Sequence, residues 1–212
     1  KQEIIDAVEL SSNYIGKTLE GVLLHDPAWI NSWDKTIEDA LEECIEKKYI
    51  KSYGISVYTP EEMNTSLSIK GINIIQMPVN VFDRRFISSG LIPEALKRGK
   101  ALFVRSAFLQ GLLVMPLKKA VERIPMAEKY LERWHKFCVK INMLPVEVAL
   151  KYVCTVLPNA QIIVGTESPE QILANSKLAR GYLPEELINE INNWESPPEE
   201  VFNPSKWKKT TI

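Results

Sequence analysis

Short apolar runs alternate along this chain with longer segments in which apolar side chains recur every three or four residues. The short runs cover residues 19–25, 52–57, 73–79, 101–105 and 161–164. Their nearly continuous apolar character is typical of strands that are buried on both faces, as in parallel sheets. The longer segments have the period of amphipathic helices. The pattern therefore predicts an α/β fold.

The predicted helices have recognisable ends. Asp34 or Ser32 can cap a helix over residues 36–48, and Thr59 and Ser168 each precede a proline suited to the first turn of a helix. Further helices are predicted over residues 2–15, 91–98, 116–157 with breaks at Pro125 and Pro145, and 184–194. The tail beyond residue 194 is rich in proline and charge and is predicted to be irregular and to lie on the surface.

The order of the predicted elements is a helix, five strand–helix units and an extra helix. Such alternation requires right-handed crossovers and a parallel sheet. Both an open doubly wound sheet and part of a (β/α)8 barrel satisfy the pattern. No G-x-G-x-x-G sequence follows any of the strands, so nothing directly supports a Rossmann nucleotide site.

Composition narrows the class of protein. A 45% hydrophobic content and 25% charged content are those of a globular protein, and we expect one domain over residues 1–212. The net charge of −1 argues against a nucleic-acid partner or an anionic membrane surface. The sequence shows neither an apolar stretch long enough to span a membrane nor a signal peptide. Cys44, Cys138 and Cys154 are widely spaced, so buried thiols are favoured over disulfides or metal ligands, and this favours the cytoplasm.

Each predicted strand ends in polar residues. In chain order these are His25 with Asp26, Ser56, Gln76 leading to Asn80, Arg105 with Ser106, and Gly165 with Thr166 and Glu167. Barrel enzymes build their sites at the carboxyl ends of the strands, which gives these residues a common rim. Each of them taken singly is also suited to a cap or a turn.

Two of these positions have alternative interpretations. His25 is either a core histidine bonded to a carbonyl or a neutral imidazole that hydrogen-bonds a substrate carbonyl oxygen. The segment from Gly165 to Gln171 is either a simple capped helix start or an anion site formed by free backbone N–H groups.

Five segments together resemble motifs of the aldo-keto reductase family, in the family's order. They are LLHDP at residues 23–27, YGISVY at 53–58, IQMPVN at 75–80, VRSAFLQGLL at 104–113 and IIVGTESPEQILAN at 162–175. The resemblance implies a (β/α)8 TIM barrel, of which this chain covers about the last five β/α units and an extra C-terminal helix. It also implies an NAD(P)-dependent oxidoreductase that transfers hydride between a nicotinamide cofactor and a small aldehyde, ketone or alcohol.

The resemblance assigns a role to individual residues. His25 would be the catalytic histidine, and Ser56 and Gln76 would hold the nicotinamide carboxamide. Arg105 takes the position of an aromatic residue that stacks on the nicotinamide. The residues that would line the pyrophosphate passage are Ser106, Phe108 and Gln110. Those that would lie at the adenosine end are Gly165, Thr166, Glu167, Gln171 and Asn175.

The chain also departs from the family pattern. The family's catalytic Asp, Tyr and Lys come from the first three strands, which have no counterpart here, so we expect the chain to be N-terminally incomplete. Val57 replaces an asparagine that contacts the carboxamide. Gly165 and Gln171 replace a Lys and an Arg that hold the 2′-phosphate in many relatives, so the cofactor is NADP(H) or NAD(H).

Two other functions stay open on the sequence: a non-catalytic scaffold or sensor that binds nucleotide, and another barrel enzyme with a phosphate site near Gly165. The expected partner is a small carbonyl or alcohol substrate. Its identity would depend on the rim loops over residues 28–34, 82–90 and 112–122 and the tail 196–212. The oligomeric state, a homo-oligomer included, is also open.

Overall fold

The five strands form one parallel sheet whose neighbours follow the order of the chain. A computed structural model describes residues 1–207, and the end of the predicted tail, 208–212, lies outside the described residues. The strands are β1 Val22–Leu24, β2 Tyr53–Ser56, β3 Ile72–Pro78, β4 Ala101–Arg105 and β5 Gln161–Ile162, in the order β1-β2-β3-β4-β5. A doubly wound sheet reverses direction at a switch point, whereas a barrel wall does not. The sequential order therefore confirms the barrel type of α/β fold.

Helices connect the strands and follow the last one. They are α1 Gln2–Ile15, α2 Ala28–Asn31, α3 Lys35–Glu46, α4 Pro60–Leu67, α5 Arg85–Ser88, α6 Leu91–Lys97, α7 Leu117–Arg123, α8 Glu128–Lys140, α9 Pro145–Val156, α10 Pro169–Leu178, α11 Glu185–Asn192 and α12 Glu199–Phe202, with 3-10 turns at Pro125–Ala127 and Pro204–Lys206. Within residues 1–207, none of the helices has the length and apolarity required to cross a bilayer.

Local capping chemistry sets several helix starts as predicted. The Asp34 carboxylate accepts a hydrogen bond from the Ile37 N–H at 2.9 Å, so Asp34 and not Ser32 caps α3. Thr59 caps α4 in a reciprocal capping box with Glu62. Ser168 accepts from the Gln171 N–H and caps α10.

The chain divides into two compact units, Lys1–Met77 with Phe86–Phe103 and Pro78–Arg85 with Val104–Ile212. In the first unit, α1 packs on α3 around a buried cluster that includes Ile5, Leu41 and Tyr53. The Tyr53 hydroxyl donates to the Glu42 carboxylate at 2.8 Å. The pKa of Tyr53 is raised mainly by burial and secondly by this hydrogen bond. The single domain expected over residues 1–212 stays a prediction.

The strand β1 is shorter and less buried than predicted. It covers three residues, all half-buried, and the preceding apolar Leu19 joins the sheet through an isolated bridge to Ile50. The prediction of burial on both faces was wrong for β1 because it lies at the edge of the sheet. The strand β5, at the other edge, is also shorter than predicted and has an exposed residue, Gln161.

In the second unit, α8 contributes a large part of the core. Trp134 is fully buried, and its indole N–H donates to the Leu113 carbonyl at 2.8 Å. The helix α10 contributes little to this core, since every one of its residues is exposed or half-buried. Cys44 and Cys138 are buried as predicted, whereas Cys154 is only half-buried, and all three thiols are free.

The tail is more ordered than the predicted irregular surface segment. It contains α12, and Val201 and Phe202 are buried. The Arg84 guanidinium donates to the Trp194 carbonyl at 2.6 Å and the Ser196 hydroxyl at 3.2 Å, and the Arg85 guanidinium lies 4.6 Å from the centre of the Phe202 ring. The prediction was wrong because arginines that are remote in sequence fix this segment.

Candidate functional site

His25 is the first residue after β1, and it is exposed. The Asp26 carboxylate accepts from the Ala28 N–H at 2.8 Å, which turns the chain into α2 directly after the histidine. Among the described residues, His25 therefore lies outside the core. The ring is open to solvent, where its nitrogen atoms can hydrogen-bond a ligand.

Ser56 and Gln76 are brought together by the register of β2 and β3. They are direct partners in the parallel ladder, and the Ser56 hydroxyl donates to the Gln76 Oε1 at 3.2 Å. Ser56 is buried and Gln76 is half-buried. This hydrogen bond orients the Gln76 amide through its oxygen. Its Nε2 group is the donor that Gln76 can offer to a ligand. A carboxamide oxygen is a suitable acceptor for that donor.

The segment after β4 has an unusual backbone. Ser106, Leu109 and Gln110 adopt φ angles of 65°, 49° and 50°, in the left-handed region that non-glycine residues seldom occupy. Such a conformation costs about 1–2 kcal/mol per residue and persists where surrounding contacts impose it. Arg105, Ser106 and Phe108 are half-buried here, and Gln110 is exposed. The Arg105 guanidinium lies 3.5 Å from the Ser106 hydroxyl.

The start of α10 is already hydrogen-bonded. The Ser168 hydroxyl accepts from the Gln171 N–H at 3.3 Å, and the Gln171 side-chain oxygen accepts from the Glu167 N–H at 2.9 Å. The backbone N–H of Glu170 and then the Ser168 hydroxyl lower the pKa of the Glu170 carboxyl. Negative charge is thus stabilised at this helix start, but an anion at the Glu167 N–H would have to displace the Gln171 amide.

Thr166 and Asn175 line one cavity of about 350 Å³ in the second unit. Its apolar walls include Leu150, Ile162 and Ile172. Gly165 is exposed, and a Cβ atom added there would meet nothing within 4 Å. A larger side chain would therefore fit at residue 165.

The predicted residues fall into two groups, one in each compact unit. His25, Ser56 and Gln76 belong to the first unit, and those from Arg105 to Asn175 belong to the second. Within residues 1–207, the His, Cys, Asp and Glu side chains form no group suited to a metal ion.

The sequence places Asn80 at a strand exit but gives it no role, and Arg123 was not expected near the site. The buried Asn80 amide donates to the Ser106 carbonyl at 3.2 Å, and the Arg123 guanidinium donates to the Gln110 carbonyl at 3.0 Å. The position of Asn80 at the end of an apolar strand was a signal for such a role. Arg123 lies in a charged helix, and nothing in its sequence context distinguishes it.

The fold resembles those of solved enzymes. The holo form of the aldo-keto reductase AKR11C1 from Bacillus halodurans is 25% identical with a TM-score of 0.71, covering 96% of this chain and 69% of that chain. Its apo form is 24% identical with a TM-score of 0.69, and the match covers 96% of this chain and 71% of that one. The glycerol dehydrogenase AKR11B4 from Gluconobacter oxydans is 20% identical with a TM-score of 0.66, covering 98% and 66%.

The family assignment depends on the sequence rather than on these structures. No curated protein matches the chain. The model of the Aldo/keto reductase family, by contrast, matches residues 1–195, which is most of the chain and contains all five strands. The chain belongs to the aldo/keto reductase family.

Proposed function

We propose that this chain forms the cofactor-binding and substrate-orienting part of a nicotinamide-dependent oxidoreductase that acts on a small aldehyde, ketone or alcohol. The observation that carries the proposal is the Ser56–Gln76 pair, a half-buried amide whose oxygen accepts from Ser56 and whose Nε2 can donate to a ligand. A nicotinamide carboxamide has the complementary acceptor. The cavity with Thr166 and Asn175 offers polar groups among apolar walls, which suits an adenosine group.

The chemistry of the other residues is consistent with this proposal. When bound, the nicotinamide supplies or accepts the hydride. His25, exposed after β1, donates a hydrogen bond to the substrate oxygen, on which negative charge develops during reduction. The general acid in this proposal is the tyrosine that comes from the first three strands of the family's barrel.

The cofactor in this proposal is NADP(H) or NAD(H). Gly165 and Gln171 bring no positive charge to the adenosine end, so a strong preference for the 2′-phosphate is not expected. We further propose that the protein lies in the cytoplasm and that its partner is the small carbonyl or alcohol substrate.

A binding protein without catalysis is the second candidate, and two residues favour it. Val57 is fully buried where relatives have an asparagine, which removes one carboxamide contact. Arg105 places positive charge where relatives have an aromatic ring. Both changes would impair hydride transfer more than they would impair nucleotide binding.

The test uses the full-length protein. Quenching of tryptophan fluorescence, for which the chain has 5 Trp, measures the binding of NADPH and NADH. Turnover is then measured with a panel of small carbonyls. We expect His25→Ala to lower kcat about 100-fold, the lower end for loss of one hydrogen-bond donor to an oxygen on which negative charge develops, and to leave the Kd of the cofactor unchanged. His135→Gln, in the middle of α8, is the matched control and should retain kcat.

The outcomes separate the candidates. Cofactor binding without turnover on any carbonyl would support the binding protein. Binding of neither NADPH nor NADH would overturn both candidates.

A further inference from the structure

The left-handed segment after β4 needs external contacts to hold its shape. Ser106 is the first residue of this segment, and its φ angle of 65° is unfavourable for a residue with a side chain. The Ser106 carbonyl accepts two hydrogen bonds, from the Leu109 N–H at 2.9 Å and from the Asn80 Nδ2 at 3.2 Å. Both lone pairs are therefore used, and the peptide that leaves Ser106 has a defined orientation.

Asn80 is suited to this contact by its own environment. Its side-chain oxygen accepts from the Phe82 N–H at 2.9 Å and the Asp83 N–H at 3.0 Å, which fixes the amide and directs Nδ2 to Ser106. Asn80 is 1% exposed, so a rotation of the Ser106 peptide would leave a buried donor without its partner.

The Asn80 amide extends the pairing of β3 and β4 by one residue. The Val79 N–H donates to the Arg105 carbonyl at 3.2 Å, and the Asn80 side chain makes the next link, to Ser106. Arg105 and Ser106 are thus held from the neighbouring strand end by a backbone bond and a side-chain bond in succession.

We infer that Asn80 is a positioning residue for the cofactor pyrophosphate and that it acts through the backbone of Ser106. The inference rests on the proposed function and on the family resemblance, by which Ser106, Phe108 and Gln110 would line the pyrophosphate passage. Asn80 fixes the left-handed start of that passage before any ligand arrives, so the ligand does not have to order it.

The test is Asn80→Asp in the full-length protein, because aspartate keeps the two acceptor contacts and removes the donor to Ser106. We expect ADP-ribose, NADPH and NADH, which contain a pyrophosphate, to bind about tenfold more weakly. AMP, which has a single phosphate, should bind as it does to the unmodified protein. Isothermal titration calorimetry measures all four constants, and Asn80→Ser provides a second variant if the aspartate prevents folding.

Trp134→Phe is the matched control. It also removes a buried donor to a carbonyl of this segment, that of Leu113, so it should lower the free energy of unfolding and leave all four affinities unchanged. Unchanged ADP-ribose affinity in both Asn80 variants, or an equal loss for AMP and ADP-ribose, would overturn the inference while leaving the proposed function in place. If the unmodified protein binds neither NADPH nor NADH, the proposed function is wrong and the inference falls with it.

Discussion

Gln171 makes two hydrogen bonds at the start of α10. Its amide oxygen holds the Glu167 N–H at 2.9 Å, and its own N–H is held by Ser168. The residue is exposed, so a longer side chain fits there without repacking. In the family resemblance, this neutral side chain takes the position of an arginine that would hold the 2′-phosphate.

We predict that Gln171→Arg raises the preference for NADPH over NADH. A charge-assisted hydrogen bond contributes about 1.5–3 kcal/mol, and the exposed position favours the lower value, which corresponds to roughly tenfold in the ratio of Kd values. Gln171→Met is the control, since it removes the same amide and adds no charge. An unchanged ratio for Gln171→Arg would show that this position does not contact the 2′-phosphate.

Cys138 and Cys154 should differ in their reactivity toward an alkylating reagent. Burial raises the pKa of the Cys138 thiol to about 12, so at pH 8 about one molecule in 10⁴ carries the reactive thiolate. Burial also raises the pKa of Cys154, but this residue is half-buried and lines the 350 Å³ cavity. We predict that iodoacetamide modifies Cys154 first and Cys138 much more slowly, as followed by peptide mass spectrometry. In denaturant the rates should converge, and faster modification of native Cys138 would contradict its burial.

The site could be predicted from the sequence only where its residues lie at strand ends. Ser56 and Gln76 are separated by one β/α unit, and a parallel register makes them partners. The exposure of His25 follows from the position of β1 at an edge of the sheet. The apolar run before His25 does not show this edge, but the resemblance to only the last five β/α units of a barrel does. The role of Asn80 depends on the Ser106 carbonyl, 26 residues away in the sequence.

At the scale of the elements, β2 and β3 meet at an unusually close point. A Cβ atom built on Gly54 would lie 2.0 Å from the Ile74 carbonyl oxygen, in a stretch where the register shifts between Tyr53 and Gly54. Backbone atoms cannot move aside as a flexible side chain can. Gly54 is therefore required by the approach of the strands.

We predict that Gly54→Ala lowers the free energy of unfolding by about 2 kcal/mol, within the range found for overpacked sites. Urea unfolding of the full-length protein measures this change. Gly165→Ala is the control because its Cβ would meet nothing within 4 Å, and its effect should stay within about 0.5 kcal/mol. Equal stabilities of the two variants would show that the strands can separate at Gly54 without cost.

Elements with local signals could be predicted, and those without them could not. Thr59 with Glu62 and Ser168 with Gln171 form caps from residues within one turn, so α4 and α10 begin as expected. The short α2 and α5 were missed because four residues are too few to show a helical period. The helix α12, in the tail, could not be predicted because it packs through a long-range contact between Arg85 and Phe202.

At the scale of the whole molecule, two helices within residues 1–207 each expose more than one large apolar side chain. On α1 they are Leu10, Tyr14 and Ile15, which are 70%, 91% and 57% exposed. On α10 they are Ile172 and Leu173, which are 57% and 64% exposed. The order of the sheet also leaves β1 and β5 as edges. Exposed apolar surface and unpaired strand edges both favour association.

We predict that a protein consisting of residues 1–212 alone self-associates, so that its mass in light scattering rises above 24.2 kDa with concentration. The variant with both Ile172→Glu and Leu173→Lys should reduce this rise, because it places charges on the apolar face of α10. Val139→Lys is the control, since Val139 is 81% exposed but lies on α8, away in sequence from both surfaces, and it should leave the rise unchanged. A single species of 24.2 kDa at all concentrations would mean that the exposed faces of α1 and α10 do not drive association.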